Sequence, residues 1–240
     1  MEIRGERECT ECETRWSYYE TGTISCPACG SVKSVGIDDE RKQHTAAPAT
    51  LNLTSVRNMI DEAPREDIAS AAIDECREYV LKQGFIDAGE LQALEDVYLA
   101  AHELRQVADV FARSFDPTDE EELYYLSLLR GADHGERPDP ESVPDSIREA
   151  RGLGYADAID EYRKDLKTYA EDLNRTDNEA LSALQSLSEH IKRVRALQGD
   201  VDPKTAERLV KAARALGEYL RWDDEDALVR CQDRLKRLST

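Results

Sequence analysis

Four of the six cysteines fall in two Cys-x-x-Cys pairs, Cys9 with Cys12 and Cys26 with Cys29, separated by 13 residues. Each pair can wrap one metal ion in a tight turn whose backbone N–H groups point at the thiolate sulfurs, and two such knuckles complete a tetrahedral four-thiolate shell. Gly30 follows the second pair and offers the permissive backbone that such a turn needs. Glu13 stands in the matching place after the first, a departure from the regular pattern. The spacer is slightly short for a zinc ribbon but long enough for a β-hairpin, with residues 15–19 and 23–25 flanking a turn at 20–22. Two disulfides are the competing use of the same thiols, and a chain without secretory features favours metal. The expected ion is one structural zinc, closed to substrate by its four sulfurs. Iron in the same shell would instead make a redox centre. A segment this small cannot bury enough apolar surface to fold alone, so the metal must supply most of its folding free energy.

The remaining reactive side chains do not assemble into a recognisable reaction centre. Cys76 and Cys231 each occupy the apolar face of a helical pattern, where a thiol acts as a small hydrophobe. His44, His102, His134 and His190 are scattered and read as surface residues, and no Glu-x-x-His pair exists to build a di-iron bundle. Asp133, His134 and Glu136 share a Gly/Pro-rich loop that could form a small polar site. Phosphate-loop, dinucleotide, serine-hydrolase and His-Glu-x-x-His signatures are all absent from the sequence. An enzyme is therefore the less expected reading.

Charge narrows the class of partner. The chain carries 51 acidic and 32 basic residues, a net charge of −19, with the acids dispersed in short clusters and with arginine far outnumbering lysine. That pattern fits a protein of a salt-loaded cytoplasm, where self-repulsion is screened and phosphate binding by counterion release loses most of its strength. From His190 onward the balance reverses, with twelve Lys and Arg against nine acids. Lys192, Arg193 and Arg195 are candidates there for a nucleic-acid or acidic-protein contact, unless the acidic helices before them neutralise the positive charge. On the ribbon, Arg15, Trp16, Tyr18, Tyr19 and Lys33 interleave positive charge with aromatics and form a second candidate contact, with Trp16 also placed to pack over the knuckles. A protein partner is favoured over nucleic acid, and the oligomeric state is left open. No apolar run approaches the ~18 residues of a membrane span, and the first residues lack the apolar stretch of a signal peptide, so a cytoplasmic location is expected.

The elements that must position these residues follow from periodicity. Residues 1–44 read as the ribbon domain, 45–53 as a Pro-containing linker and 54–240 as an all-α bundle of about seven helices, so the fold is mainly α. A helix is predicted from Arg65 to about Gln83, with Ala69, Ala72, Ile73, Cys76, Tyr79 and Val80 on one face and Gly84 at its end. Asp87 with Glu90 predicts a capping box opening the next helix, whose stripe runs through Leu94, Val97, Tyr98, Ala101, Leu104, Ala108, Phe111 and Phe115. Asp116 before Pro117 predicts the start of a short helix through Leu123, Tyr124, Leu126 and Leu129, closed by Gly131. Beyond a loop at 131–144, Tyr155, Ile159, Tyr162, Leu166, Tyr169 and Leu173 mark a long helix. Thr176 with Glu179 predicts another capping box before Leu181, Leu184, Leu187, Ile191 and Val194. Leu209, Ala213, Leu216 and Leu220, then Leu228, Cys231, Leu235 and Leu238, mark the last two helices.

The stretches Arg4-Gly5-Glu6-Arg7-Glu8-Cys9, Arg15-Trp16-Ser17-Tyr18-Tyr19-Glu20 and Cys26-Pro27-Ala28-Cys29-Gly30, with Asp74-Glu75-Cys76-Arg77-Glu78-Tyr79-Val80 and Leu129-Arg130-Gly131-Ala132-Asp133, resemble a haloarchaeal family of zinc-ribbon-containing proteins. Its members are labelled as similar to the ribbon of transcription factor B. The resemblance covers most of the chain and implies a zinc ribbon, with no reaction attached. No cyclin-like repeat follows the ribbon, which sets the chain apart from a general initiation factor. The expected function is a non-enzymatic zinc-ribbon adaptor docking a macromolecular partner, protein or nucleic acid, with transcription as a candidate setting. A rubredoxin-like iron electron carrier using the same four cysteines is the alternative.

Overall fold

In the computed structural model, which describes residues 1–114, 116–172 and 178–238, the chain is mainly helical with small sheets at its N-terminal end. Strand β1 (Glu2–Ile3) pairs with β5 (Lys42–Gln43), closing the segment between them into one unit. Inside it, β2 (Glu6–Cys9) is flanked by β3 (Arg15–Ser17) and β4 (Ser34–Gly36) in a three-stranded antiparallel sheet of order β3-β2-β4. The hairpin expected between residues 15–19 and 23–25 is replaced by this arrangement. The first knuckle is itself the turn joining β2 to β3. After β3 the chain enters a one-turn helix, α1 (Tyr18–Thr21), whose C-cap Gly22 adopts a φ of 63°. Residues 23–25 then pair with no strand; instead the Thr23 carbonyl accepts the Trp16 indole N–H at 3.0 Å.

The helical part begins with the single turn α2 (Thr54–Arg57), followed by α3 (Arg65–Lys82), α4 (Asp96–Arg113), α5 (Asp119–Gly131), α6 (Arg148–Asp172), α7 (Asn178–Ala196), α8 (Pro203–Trp222) and α9 (Glu225–Leu238). Seven of these, α3 to α9, are helices of 13 residues or more among the described residues, as the apolar periodicity requires. Helix α4 packs against both α3 and α6, α6 against α7 and α8, and α8 against α9. One continuous apolar core runs from Leu51 to Leu235.

Three helix starts or ends differ from expectation. Asp87 to Glu90 does not cap a helix: Ala88 and Gly89 both have positive φ (49° and 85°) and turn a two-residue hairpin between β6 (Ile86–Asp87) and β7 (Glu90–Leu91). That twist matches paired strands, and it buries Ile86 and Leu91 together. The N-cap of α5 is Thr118 rather than Asp116, because Thr118 and Glu121 exchange the two hydrogen bonds of a capping box. Leu123, expected in the core, is 64% exposed, and Tyr125 is buried in the stripe instead. Gly131 is the last residue of α5, but the chain continues through a 3-10 turn at 132–134, and Gly135, at φ 77°, is what ends it. Phe115, Leu173 and Thr176 lie outside the described residues.

Residues 45–53, read as a linker, are fastened to the helical part. The Thr45 and Ala46 amides donate to the Ile86 carbonyl and the Ala47 amide to that of Lys82, while Leu51 and Leu53 are in the main core. The Thr45 hydroxyl donates to Asp165 of α6 at 2.6 Å, and the same carboxylate oxygen accepts the Phe85 amide at 2.7 Å. Gly84 makes this approach possible, since a Cβ there would stand 2.4 Å from the Thr45 carbonyl.

Candidate metal centre

Local backbone geometry brings the four thiols together. In the first knuckle the Cys9 amide donates to the Thr14 carbonyl at 2.9 Å and the Glu13 amide to the Cys9 carbonyl at 3.0 Å. In the second, the Cys26 amide donates to Ser31 and the Gly30 amide to Cys26, both at 2.8 Å. The two turns thus repeat one pattern, and Glu13 (φ 58°) holds the left-handed conformation that Gly30 (φ 74°) holds in the other. The sequence departure at Glu13 therefore leaves the geometry intact, at the strain of a side chain in a region that glycine occupies more readily.

The sulfurs of Cys12 and Cys26 are 3.5 Å apart, those of Cys12 and Cys29 3.5 Å, and those of Cys9 and Cys29 3.6 Å. All four Sγ atoms lie within 4.8 Å of one another. A tetrahedron with metal–sulfur bonds of ~2.3 Å has edges of about 3.8 Å, so the donor set fits a four-coordinate ion. None of the six cysteines is in a disulfide. Cys9 and Cys26 are buried, with Trp16 as the only other member of their small cluster among the described residues, while Cys12 and Cys29 face solvent.

Electrostatics points to a cation. Hydrogen bonds from Thr14, and then from the neighbouring sulfurs, pull the Cys12 thiol down to about 6. Cys29 goes the other way: although the Ser31 backbone favours its thiolate, the crowding sulfur of Cys12 and then burial push it up to about 12. One proton leaves readily and another is held, as expected of several potential anions in one small volume. A divalent ion at their centre removes that conflict. The four clustered cysteines can hold a metal ion.

The candidate contact residues are distributed differently. On the ribbon, Arg15 is bound to Glu8 at 2.5 Å and Lys33 to Glu11 at 2.9 Å, both near the surface. Trp16 is buried over the knuckles. Tyr18 and Tyr19 both pack their rings on His44, and the Tyr19 hydroxyl donates to the Ile3 carbonyl. Beside exposed charged residues such as Glu6, Glu11, Arg15 and Lys33, the ribbon also exposes the apolar Ile24, Val32, Val35 and Ile37. On α7, Arg195 is paired with Asp157 and Asp160 of α6, so the acidic helix before it takes up its charge. Lys192 and Arg193 are exposed, the latter donating to the Leu238 carbonyl.

Two histidines read as surface residues are buried. His44 sits between ribbon and bundle with its Nδ1 accepting the Ala88 amide, and burial holds its imidazole below the ordinary value. His102 lies on the packed side of α4 against Tyr98, and burial pushes it down to about 3, keeping it neutral. Cys76 and Cys231 are fully buried, and desolvation raises both thiols to about 12, as inert hydrophobes require. The loop trio does not form a site: Asp133 receives both arms of Arg57 at 2.8 Å and the Leu53 amide, clamping α2 to the end of α5, while His134 points to solvent.

A cluster missed by motif reasoning lies inside the bundle. Arg151 of α6, 1% exposed, donates to Glu103 of α4 (3.3 Å), Tyr124 of α5 (2.9 Å) and Glu207 of α8 (2.8 Å). Tyr124 also donates to Glu103, and Arg137 joins Tyr155, Glu207 and Asp96. Its signal in sequence is a charged residue on an apolar stripe, Glu103 between Ala100 and Val107 and Arg151 before Tyr155 and Ile159.

A family model described as "Family of unknown function (DUF7117)" matches residues 1–235, so the chain belongs to that family. Neither the curated proteins nor the solved structures contain a match. Among the described residues, no helix is long and apolar enough to cross a membrane.

Proposed function

We propose that this member of the family is a non-enzymatic adaptor: a ribbon held by one structural zinc ion docks a protein partner, and the acidic helical bundle carries it in a high-salt cytoplasm. The observation that supports the reading is the closed donor set of Cys9, Cys12, Cys26 and Cys29, which leaves no coordination position for substrate, beside exposed Val32, Val35, Ile24 and Ile37. Exposed apolar side chains on a rigid, metal-fixed unit are a usual basis for protein docking, and at high salt such contacts outlast charge pairs. Arg15 and Lys33, at the rim, then tune specificity more than affinity. The family that the sequence resembles is labelled as similar to the ribbon of transcription factor B, which makes the transcription machinery the first partner to test.

Two of the sulfurs, Cys12 and Cys29, face solvent, and this favours a second reading: an iron electron carrier that exchanges electrons through that edge. Colour separates the two. A colourless protein with one zinc per chain supports the adaptor, whereas visible absorption that bleaches with dithionite supports the carrier. In affinity capture at high salt, Val32→Asp with Val35→Asp is expected to abolish retention of the partner while zinc content stays at one per chain. Retention unchanged in that variant would remove the docking face.

A further inference from the structure

An open cleft of about 830 Å³ lies between α8, α9 and the turn at 135–141. We infer that it is a binding site for a small phosphorylated polyol, with Arg208, Lys211 and Arg234 receiving the phosphate. The volume is that of a small-molecule site. Its floor is fixed: Arg137 and Arg151 are locked by Glu207 and by the tyrosines beneath, and the Nε–H of each is buried without an acceptor. The wall holds the charge. Arg208 and Lys211 lie one turn apart on α8, and Arg234 of α9 is tied beside them by its bond to the Lys211 carbonyl at 3.3 Å. Among the described residues, none of the three has a carboxylate partner, although acids outnumber bases by 19 in the chain and most neighbouring cations, such as Lys204, Arg214 and Arg230, have one.

Keeping three such cations on one concave wall is unfavourable unless an anion offsets their repulsion. Two guanidiniums and an ammonium offer the fork and point-charge donors that match phosphate oxygens. Among its described lining residues, no aromatic side chain is present to stack a nucleobase, which argues against a nucleotide. Asp139 and Glu141 on the facing turn can accept hydroxyl hydrogens, which suits a polyol body.

Isothermal titration of the full chain with fructose 1,6-bisphosphate at fixed high potassium chloride tests the site. One saturable site per chain is expected, with Arg208→Gln, Lys211→Gln and Arg234→Gln each weakening binding about tenfold. Lys236→Gln, on α9 outside the cleft, is expected to change it less than twofold, and fructose is expected not to bind. A melting curve for each variant shows that the fold persists, and Lys211→Gln, at an exposed position, keeps the test decisive if an arginine variant unfolds. Absence of saturable binding, equal loss with Lys236→Gln, or binding of an RNA oligonucleotide in place of the bisphosphate would overturn the inference.

Discussion

The ribbon and the bundle stand on opposite sides of a size threshold. Cys9, Trp16 and Cys26 are all that the ribbon buries in its own core, while the bundle buries an unbroken set from Leu51 on the entering segment to Leu235 on the last helix. At roughly 25 cal/mol per Å² of apolar surface, three side chains cannot offset the ordering of more than forty residues, whereas seven amphipathic helices can. The contrast teaches where to look for dependence on a ligand. The ribbon's fold is expected to follow its metal, and the bundle's to follow its packing.

The sharpest way to break that comparison is Cys26→Ser. The metal's contribution to folding, on the order of 10 kcal/mol, is then lost from the ribbon alone. Amide spectra are expected to show residues 1–44 unfolded with the helical ellipticity retained, and loss of the whole far-UV signal would mean that the two regions fold as one. Within the bundle, the most sensitive point is the buried network. Arg151→Met leaves Glu103 charged or forces its protonation, with a cost of about 3–5 kcal/mol, read as a fall in melting temperature at unchanged zinc content. Adding Glu103→Leu is expected to restore much of the loss.

The junction should respond more weakly. Asp165→Ala removes the acceptor shared by the Thr45 hydroxyl and the Phe85 amide, at about 1–3 kcal/mol, and faster hydrogen exchange at Phe85 and Ile86 is the expected readout. The smallest effect is that of pH on His44. Burial disfavours its cation more than Asp87 favours it, so the folded value lies below the ordinary one near 6.5. Its contribution is therefore complete above that value and is lost as the pH falls through it towards the folded value, when Nδ1 can no longer accept the Ala88 amide. Exchange of that amide is expected to quicken between pH 7 and pH 5 while α8 keeps its protection. Equal protection at both values would take His44 out of the junction.

How much of this was legible in the sequence varied with the range of the interaction. Cys9, Cys12, Cys26 and Cys29 were readable because a knuckle is a local object set by spacing, and the stripes of α3, α4 and α8 because a helix repeats its face every few residues. Asp87 to Glu90 misled because the same four residue types serve a capping box or a tight hairpin, and only the burial of Ile86 and Leu91 across the turn decides between them. His44 and His102 read as surface residues in the sequence because nothing local records that a ribbon or a neighbouring helix covers them. The Arg151 network draws on α4, α5, α6 and α8, and its members are brought together by the packing of helices far apart in the chain. Strand pairing in the ribbon is hard to read for a similar reason, since β4 pairs with β2 from beyond the second knuckle.

The most direct test of the account is the metal content and thiol state of the full chain purified at high salt without added metal. One zinc per chain, no visible absorption, and Cys9, Cys12, Cys26 and Cys29 resistant to alkylation until a chelator is added are the results it predicts. A folded ribbon with no transition metal, or with those thiols oxidised in pairs, would contradict it.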